Sequence, residues 1–152
     1  MERTFIAIKP DAVKRGLIGR IISRFEDKGF KLIGLKMLTP TGEMAAKHYE
    51  EHLGKPFYPS LIKYITSGPI VAMAFEGIDV IAGSRKLMGV TNPQNAEVGT
   101  IRFDFAQSKE VNVIHGSDSP ESAEREIGIY FNPEELCSNW NTTLEFLINE
   151  QK

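Results

Sequence analysis

The sequence predicts an α+β sandwich, in which one β-sheet has helices covering a face. Three observations support this class: short apolar runs of strand length, apolar residues repeated at helical spacing, and capping signals between the two kinds of segment. Strands interleaved with pairs of helices are typical of such a sandwich. The chain has 152 residues, of which 41% are hydrophobic and 25% charged. This size and composition predict one globular domain over residues 1–152.

The first predicted strand is the apolar run Thr4–Ile8, which ends before Pro10 because proline cannot continue a ladder. Apolar residues at helical spacing predict a helix over Ile18–Lys28, and Gly29 is its expected stop. A second strand is predicted over Lys31–Leu38.

Thr41 is the expected N-cap of a helix that runs to about Leu53 and is ended by Gly54. Another helix is predicted over Tyr58–Ile65. The continuous apolar run Ile70–Phe75 predicts a central strand.

Asp79 is the expected N-cap of a helix that ends near Met88, with Gly89 as the breaker. The stretch from Gly89 to Glu110 has no strong period and is long for a connector. Because it contains turn residues and a cation, Arg102, we expect an ordered loop that belongs to a functional site.

Val111–Ile114 is a predicted short strand, with Val111, Val113 and His115 on one face by alternation. Ser119 then caps a helix whose first turn contains proline, and Asn132-Pro133 repeats that start signal.

Composition and charge exclude several functions. The net charge of −2 argues against a protein that neutralises a nucleic-acid backbone, and no apolar run approaches the roughly 20 residues of a membrane span. A single cysteine, Cys137, excludes an internal disulfide; we expect it to be buried and to report a reducing compartment. The sequence therefore predicts a cytoplasmic protein with no membrane and no specific nucleic-acid partner.

Two of the three histidines match a metal pattern. His48 and His52 fit His-x-x-Glu-His, which places two imidazoles one helical turn apart in zinc peptidases. The alternative is a solvated helix face, which the absence of an obvious third ligand after Gly54 favours. A zinc hydrolase stays open as a minor alternative.

His115 lies where a predicted strand meets a glycine turn and a capped helix. Backbone N–H groups at a helix start suit phosphoryl groups, and histidine is partly neutral and nucleophilic near pH 7. The alternative is a structural histidine held in a turn.

Three cations, Lys9, Arg85 and Arg102, are placed at predicted element ends or in the long loop. Each alone is a plausible surface charge, but with His115 they could surround a polyphosphate. The chain has neither a P-loop nor a Rossmann fingerprint, so a nucleotide would be bound by another design.

The segment Asn112–Ser119 resembles the active-site signature of nucleoside diphosphate kinases. Further segments that resemble this family follow in the same order between Thr4 and Leu136: Thr4–Asp11, Phe25–Phe30, Ser67–Val71, Thr91–Pro93, Gly99–Arg102 and Glu121–Gly128. The resemblance implies a ferredoxin-like sandwich with a four-stranded antiparallel sheet. It also implies ping-pong transfer of the γ-phosphoryl group from a nucleoside triphosphate such as ATP to a nucleoside diphosphate, with broad base and sugar specificity.

The resemblance also assigns roles to residues. His115 would be the nucleophile, through Nδ1, while Lys9 and Asn112 would bind the sugar 3′-hydroxyl. The implied phosphate clamp consists of Arg85, Thr91 and Arg102. Mg²⁺ is expected on the nucleotide phosphates, with no side chain assigned as a metal ligand.

On the base side, Phe57 would stack on the base with Leu61 behind it, and stacking tolerates every base. The implied supporting residues are Tyr49, Ser117 and Glu126. Two departures from the family pattern are Lys109, where an apolar residue is common, and Val98, where proline is common.

Family members form hexamers or tetramers, and the tail Cys137–Lys152 favours a hexamer. A catalytically idle interaction module on the same fold is the alternative to an active kinase. Such a module should have lost His115 or a clamp residue, and all of them are present.

Overall fold

The computed structural model describes residues 1–152 and has one antiparallel sheet of four strands in the order β2-β3-β1-β4. The strands are β1 Glu2–Ile8, β2 Lys31–Leu38, β3 Ile70–Gly77 and β4 Ile114–Gly116. β3 pairs with β1 and β2, and β4 pairs with the other edge of β1. The predicted ferredoxin-like sandwich with a four-stranded antiparallel sheet is therefore confirmed.

Eight α-helices surround the sheet. They are α1 Pro10–Lys14, α2 Ile18–Lys28, α3 Gly42–His48, α4 Tyr58–Ile65, α5 Val80–Met88, α6 Ile101–Phe105, α7 Pro120–Tyr130 and α8 Thr143–Glu150. Short 3₁₀ turns follow α3, α5 and α7, at Glu50–His52, Pro93–Asn95 and Pro133–Glu135. None of the helices combines the length and apolar content that crossing a membrane requires.

Local capping fixes several predicted boundaries. Gly29 ends α2 in the left-handed conformation, with φ 95°, where a residue without Cβ is favoured. Thr41 caps α3 by accepting a hydrogen bond from the Met44 N–H, and Ser119 caps α7 in the same way from Ser122.

Both faces of the sheet are buried, whereas the sequence predicted helices over one face. On β1, Ile6 and Ile8 pack into one core with α2 and α5, while Phe5 and Ala7 pack into a second core with α3, α4 and α7. The continuous apolar runs of β1 and β3 carry this information, because a strand covered on both sides has no polar face to alternate with.

Two details of the predicted helices were wrong. α3 stops at His48 instead of Leu53, and a 3₁₀ turn follows. Asp79 occupies the N-cap position of α5 at φ 48°, but its side chain accepts no cap hydrogen bond. Glu2 Oε1 accepts the Ile81 N–H instead, at 2.9 Å, so a residue from β1 caps this helix.

The end of the chain also differs from expectation. The second Ser/Asn-Pro signal, at Asn132-Pro133, starts only a 3₁₀ turn. Cys137 is exposed, not buried, and its backbone N–H donates to the carbonyl of Ile33 in the edge strand β2. From there the tail continues to α8, which buried Lys31 holds by its ion pair to Glu145.

Candidate active site

The predicted strand bounds Val111–Ile114 were wrong, because the strand begins only at Ile114. The segment just before it positions the site. β4 comprises Ile114–Gly116, and Val113 just before it has φ 65°. A β-branched residue in this left-handed region is strained. The Lys9 N–H donates to the Val113 carbonyl at 2.8 Å, so β1 holds the kink that precedes His115.

His115 stands opposite Ala7 of β1, and one edge of its ring is fully engaged. Its Nε2 lies 2.8 Å from Glu126 Oε1 and 3.1 Å from His48 Nε2. Since a carboxylate accepts, the neutral ring carries its proton on Nε2 and donates it to Glu126. Nδ1 has no hydrogen-bond partner in the protein and keeps its lone pair.

Glu126 is itself held in place. Its Oε1 accepts a hydrogen bond from Ser117 Oγ at 2.7 Å, and Ser117 in turn contacts the backbone of Phe5. Burial raises the pKa of Glu126. The structure thus brings together His115, Ser117 and Glu126, as the resemblance implied.

His48 also belongs to the site, although the sequence indicated it only as part of a zinc-peptidase pattern. It is buried, its Nδ1 lies 2.8 Å from the Tyr130 hydroxyl, and its ring stacks on Tyr49 at 4.3 Å. His52 points elsewhere, toward Lys55 and Phe57. Because α3 ends between the two histidines, they do not share a helix face, and the zinc-peptidase arrangement is absent.

Lys9 follows β1 and turns its ammonium toward the loop before β4. Nζ donates to Asn112 Oδ1 at 2.8 Å, and Asn112 Nδ2 donates to the Thr91 carbonyl at 3.0 Å. Lys9 and Asn112 are buried, whereas Thr91 is exposed. These three residues, predicted separately, form one connected row.

The two arginines are anchored on backbone carbonyls around β4. Arg102 donates to Gly89 and Ile114, each at 2.8 Å, and Arg85 donates to Gly116 at 3.3 Å. The Nε of Arg102 is buried without a partner. The stretch Gly89–Glu110 is ordered, as expected, and contains a 3₁₀ turn and α6.

Burial and nearby positive charges shift the pKa values of several groups in the site. Burial, followed by Lys9, Arg102 and Arg85, lowers the pKa of His115 to about 3. Burial and Arg102 lower the pKa of Lys9 to about 8, and burial and Arg85 lower that of Arg102 to about 10. Burial, then His115, lowers the pKa of His48. Perturbed groups gathered in this way are typical of a functional site.

The side predicted to bind the base is open. Phe57 is 50% exposed, beside His52 and Lys55, and Leu61 packs from behind against the second core. Tyr49 is buried with its hydroxyl unpartnered, and burial raises the pKa of that hydroxyl. Lys109 and Val98, the two departures, are both exposed.

A ferredoxin-like sandwich with an uncharged imidazole among three cations defines a phosphotransferase. Residues 2–136 match the family model described as nucleoside diphosphate kinase. The chain belongs to the nucleoside diphosphate kinase family.

Relatives and solved structures agree with this assignment. Nucleoside diphosphate kinase from Heliobacterium modesticaldum is 58% identical over 99% of this chain and 100% of its own. That from Moorella thermoacetica is 62% identical over 90% of this chain and 98% of its own. A family protein from Babesia bovis superposes with a TM-score of 0.93 at 46% identity, covering 97% of this chain and 99% of its own. The Halobacterium salinarum enzyme, solved in complex with CDP, gives 0.93 at 45% identity over 97% of each chain.

The activity follows from the family. The chain is an enzyme that transfers the γ-phosphoryl group of a nucleoside triphosphate to a nucleoside diphosphate by a ping-pong mechanism, and the family uses a divalent metal with its nucleotides. The zinc-hydrolase and idle-module alternatives are therefore set aside.

Proposed function

We propose that His115 carries the phosphoryl group on Nδ1 in the ping-pong reaction. The observation that supports this is the engagement of Nε2 by Glu126 and His48, which leaves Nδ1 as the free nucleophilic nitrogen. The low pKa of His115 keeps that lone pair available at neutral pH.

In the first half-reaction, the Nδ1 lone pair forms a bond to the γ-phosphorus while the bond from phosphorus to the bridging oxygen breaks. The electron pair of that bond leaves with the nucleoside diphosphate. The proton stays on Nε2, so the ring becomes cationic, and Glu126 at 2.8 Å stabilises the new charge. The second half-reaction reverses these steps with another diphosphate as acceptor.

Arg85, Arg102 and Thr91 would hold the phosphates. Both guanidiniums are positioned by backbone carbonyls before any ligand arrives, and preorganised charge is the main contribution to phosphoryl transfer. The unpartnered Tyr49 hydroxyl would donate to a phosphate oxygen.

Lys9 and Asn112 would bind the sugar 3′-hydroxyl and the leaving oxygen. The 2.8 Å hydrogen bond between Lys9 and Asn112 fixes both head groups. The other two N–H groups of the Lys9 ammonium stay available to the nucleotide. Ser117 and Glu126 would orient the histidine ring.

We further propose that Mg²⁺ accompanies the nucleotide. Mg²⁺ prefers oxygen ligands, and the one cluster of three metal-capable side chains contains two imidazoles. The ion would therefore take its ligands from phosphates and water and would neutralise phosphate charge, with no side chain needed as a direct ligand.

Base recognition would be by stacking on Phe57, supported by Leu61. The exposed Lys55 lies over this half-exposed ring, and stacking on an aromatic face accepts purines and pyrimidines alike. Broad base specificity follows, with Lys109 as the one residue that would introduce a preference.

We infer that the chain acts as one domain over residues 1–152 in the cytoplasm and assembles as a homo-oligomer, a hexamer in preference to a tetramer. Exposed apolar side chains on the unpaired edge of β2 support assembly, since such an edge otherwise invites uncontrolled pairing. These side chains are Leu35 and Met37, and a second exposed apolar set lies on α8.

Labelling with radioactive ATP tests the assignment of His115. We expect a label that is stable to base and labile to acid, at one phosphate per chain, and complete loss of label and turnover in His115→Asn. The control is His52→Asn, which changes a half-buried histidine outside the cluster and should keep the label. Turnover retained in His115→Asn would refute the proposal.

A further inference from the structure

The Nε2 edge of His115 faces two other side chains that can bind a metal. Its distances are 3.1 Å to His48 Nε2 and 2.8 Å to Glu126 Oε1, and His48 Nε2 lies 3.9 Å from Glu126 Oε2. No other group of three histidine, cysteine or acidic side chains converges in this way anywhere in the chain.

The spacing of these donors fits a tetrahedral transition metal. Zinc binds nitrogen and oxygen at about 2.0–2.2 Å, which places neighbouring donors roughly 3.3 Å apart. The observed separations of 2.8 to 3.9 Å bracket this value, so small side-chain shifts would complete the site. Two histidines and one glutamate are also a known zinc donor set.

Groups behind the donors are placed as outer ligands of a metal site usually are. The Tyr130 hydroxyl lies 2.8 Å from Nδ1 of His48, and Ser117 donates to Glu126 at 2.7 Å. Both contacts hold the donor atoms toward a common point.

We propose that His48, His115 and Glu126 form a site for Zn²⁺, or a similar first-row transition-metal ion, whose occupation inhibits the enzyme. The binding follows from the donor geometry alone, whereas the inhibition rests on the proposed role of His115.

Inhibition follows from proton placement. A metal bond at Nε2 uses the lone pair left when the Nε2–H bond breaks, and the neutral ring takes that proton back at Nδ1 through water. Nδ1 then carries an N–H bond and has no lone pair to attack phosphorus. An ion bound at Nε2 therefore holds His115 in the unreactive tautomer without occupying the Nδ1 edge that would face the nucleotide.

Neighbouring positive charges should weaken the binding of a cation at this site. Lys9, Arg102 and Arg85 act on His115, and Arg125 lies 3.7 Å from Glu126, so all four oppose a cation. The Glu126 carboxylate, 2.8 Å from His115 Nε2, offsets part of this repulsion. Mg²⁺ would not compete, because it is a hard ion that favours oxygen ligands.

Zinc titration of the metal-free full chain tests the site. Isothermal titration calorimetry should give one Zn²⁺ per chain, and X-ray absorption should show two imidazole nitrogens, oxygen and no sulfur. His48→Gln should weaken binding by at least about 10-fold, whereas His52→Gln and Cys137→Ser, which alter the third histidine and the single cysteine, should bind as wild type does. Sulfur in the spectrum, or unchanged affinity in His48→Gln, would overturn the proposal.

A second measurement needs no variant and decides the matter if His48→Gln fails to fold. Nitrogen-15 NMR of wild-type histidines should show the His115 proton on Nε2 without zinc and on Nδ1 with it, while zinc slows phosphorylation. A proton that stays on Nε2 refutes the binding site. If the chain is saturated with zinc and its rate of phosphoryl transfer is unchanged, the proposed inhibition is refuted. Labelling with ATP then reports separately whether His115 is the phosphorylated residue.

Discussion

Lys9 and Asn112, 103 residues apart in the chain, are joined by a 2.8 Å hydrogen bond from Nζ to Oδ1. The amide is fixed in turn by its donation to the Thr91 carbonyl. This row of hydrogen bonds therefore links the end of β1, the loop after α5 and the kink before β4. Lys9 and Asn112 are already oriented before a ligand binds in the cleft.

The pH dependence of kcat/KM should have an alkaline limb set by Lys9. Burial and Arg102 lower its pKa to about 8, so the cation is present below that pH and lost above it. We expect kcat/KM to fall with a midpoint near pH 8, and kcat to fall only at higher pH, because bound phosphate favours the protonated amine. Lys9→Arg should lose this limb while keeping some activity; an unchanged limb would assign it to another group.

The acid side of the same profile should lack the usual histidine limb. The pKa of His115 is lowered to about 3, so the ring stays neutral well below pH 6.5. Initial rates should stay level from pH 7 down to about pH 5, with circular dichroism confirming that the chain is folded. A loss of activity centred near pH 6.5 would contradict the lowered pKa of His115.

Glu126→Gln should slow formation of the phosphoenzyme by about 10–100-fold, because the amide accepts the Nε2 proton but supplies no negative charge to the cationic ring. Rapid-quench measurement of the labelled enzyme gives this rate directly. Glu124→Gln, an exposed position of the same helix, is the matched control and should phosphorylate normally.

Arg102 has a structural task besides ligand binding, since it donates to two backbone carbonyls while buried. Arg102→Ala should therefore lower the free energy of unfolding by about 1–3 kcal/mol as well as abolish most transfer. Urea unfolding checks this, with Arg20→Ala on the exposed face of α2 as control. Equal stability of the two variants would show that Arg102 acts on the ligand alone.

Phe57→Ala should weaken binding of every nucleoside diphosphate by about 1–3 kcal/mol, with little discrimination between bases. Its stability should change little, because the ring is 50% exposed. Titration with GDP, CDP and UDP measures the effect, and Phe146→Ala removes an exposed ring away from the cleft for comparison. Selective loss of purine binding would indicate edge recognition.

Sequence patterns predicted those parts of the fold that local hydrogen bonds decide. Gly29 and Ser119 end and start helices through contacts with residues within one turn, so their signals are visible in the sequence. Val113 is different, because its left-handed backbone is imposed by β1 and contradicts the preference of valine. No local sequence pattern predicts the left-handed backbone of Val113.

The site shows the same division. Several residues named by the resemblance lie around β4, whereas Phe57 and Leu61 lie on the open side, and the role of His48 went unrecognised. Those around β4 are Lys9, Arg85, Arg102, Asn112, Ser117 and Glu126. The partners of His48 are His115 and Tyr130, which lie 67 and 82 residues further along the chain. The sequence offered only the spacing of His48 and His52, which indicated a zinc motif instead of a role beside His115.

The crowding of Lys9, Arg85 and Arg102 has a practical consequence for handling the purified protein. Burial and mutual repulsion both oppose the charged forms of Lys9 and Arg102. A multivalent anion that binds beside them should therefore stabilise the folded protein. Preparations kept in phosphate or sulfate should withstand heating and storage better than those kept in chloride at equal ionic strength, and supplying substrate should preserve the catalyst during use.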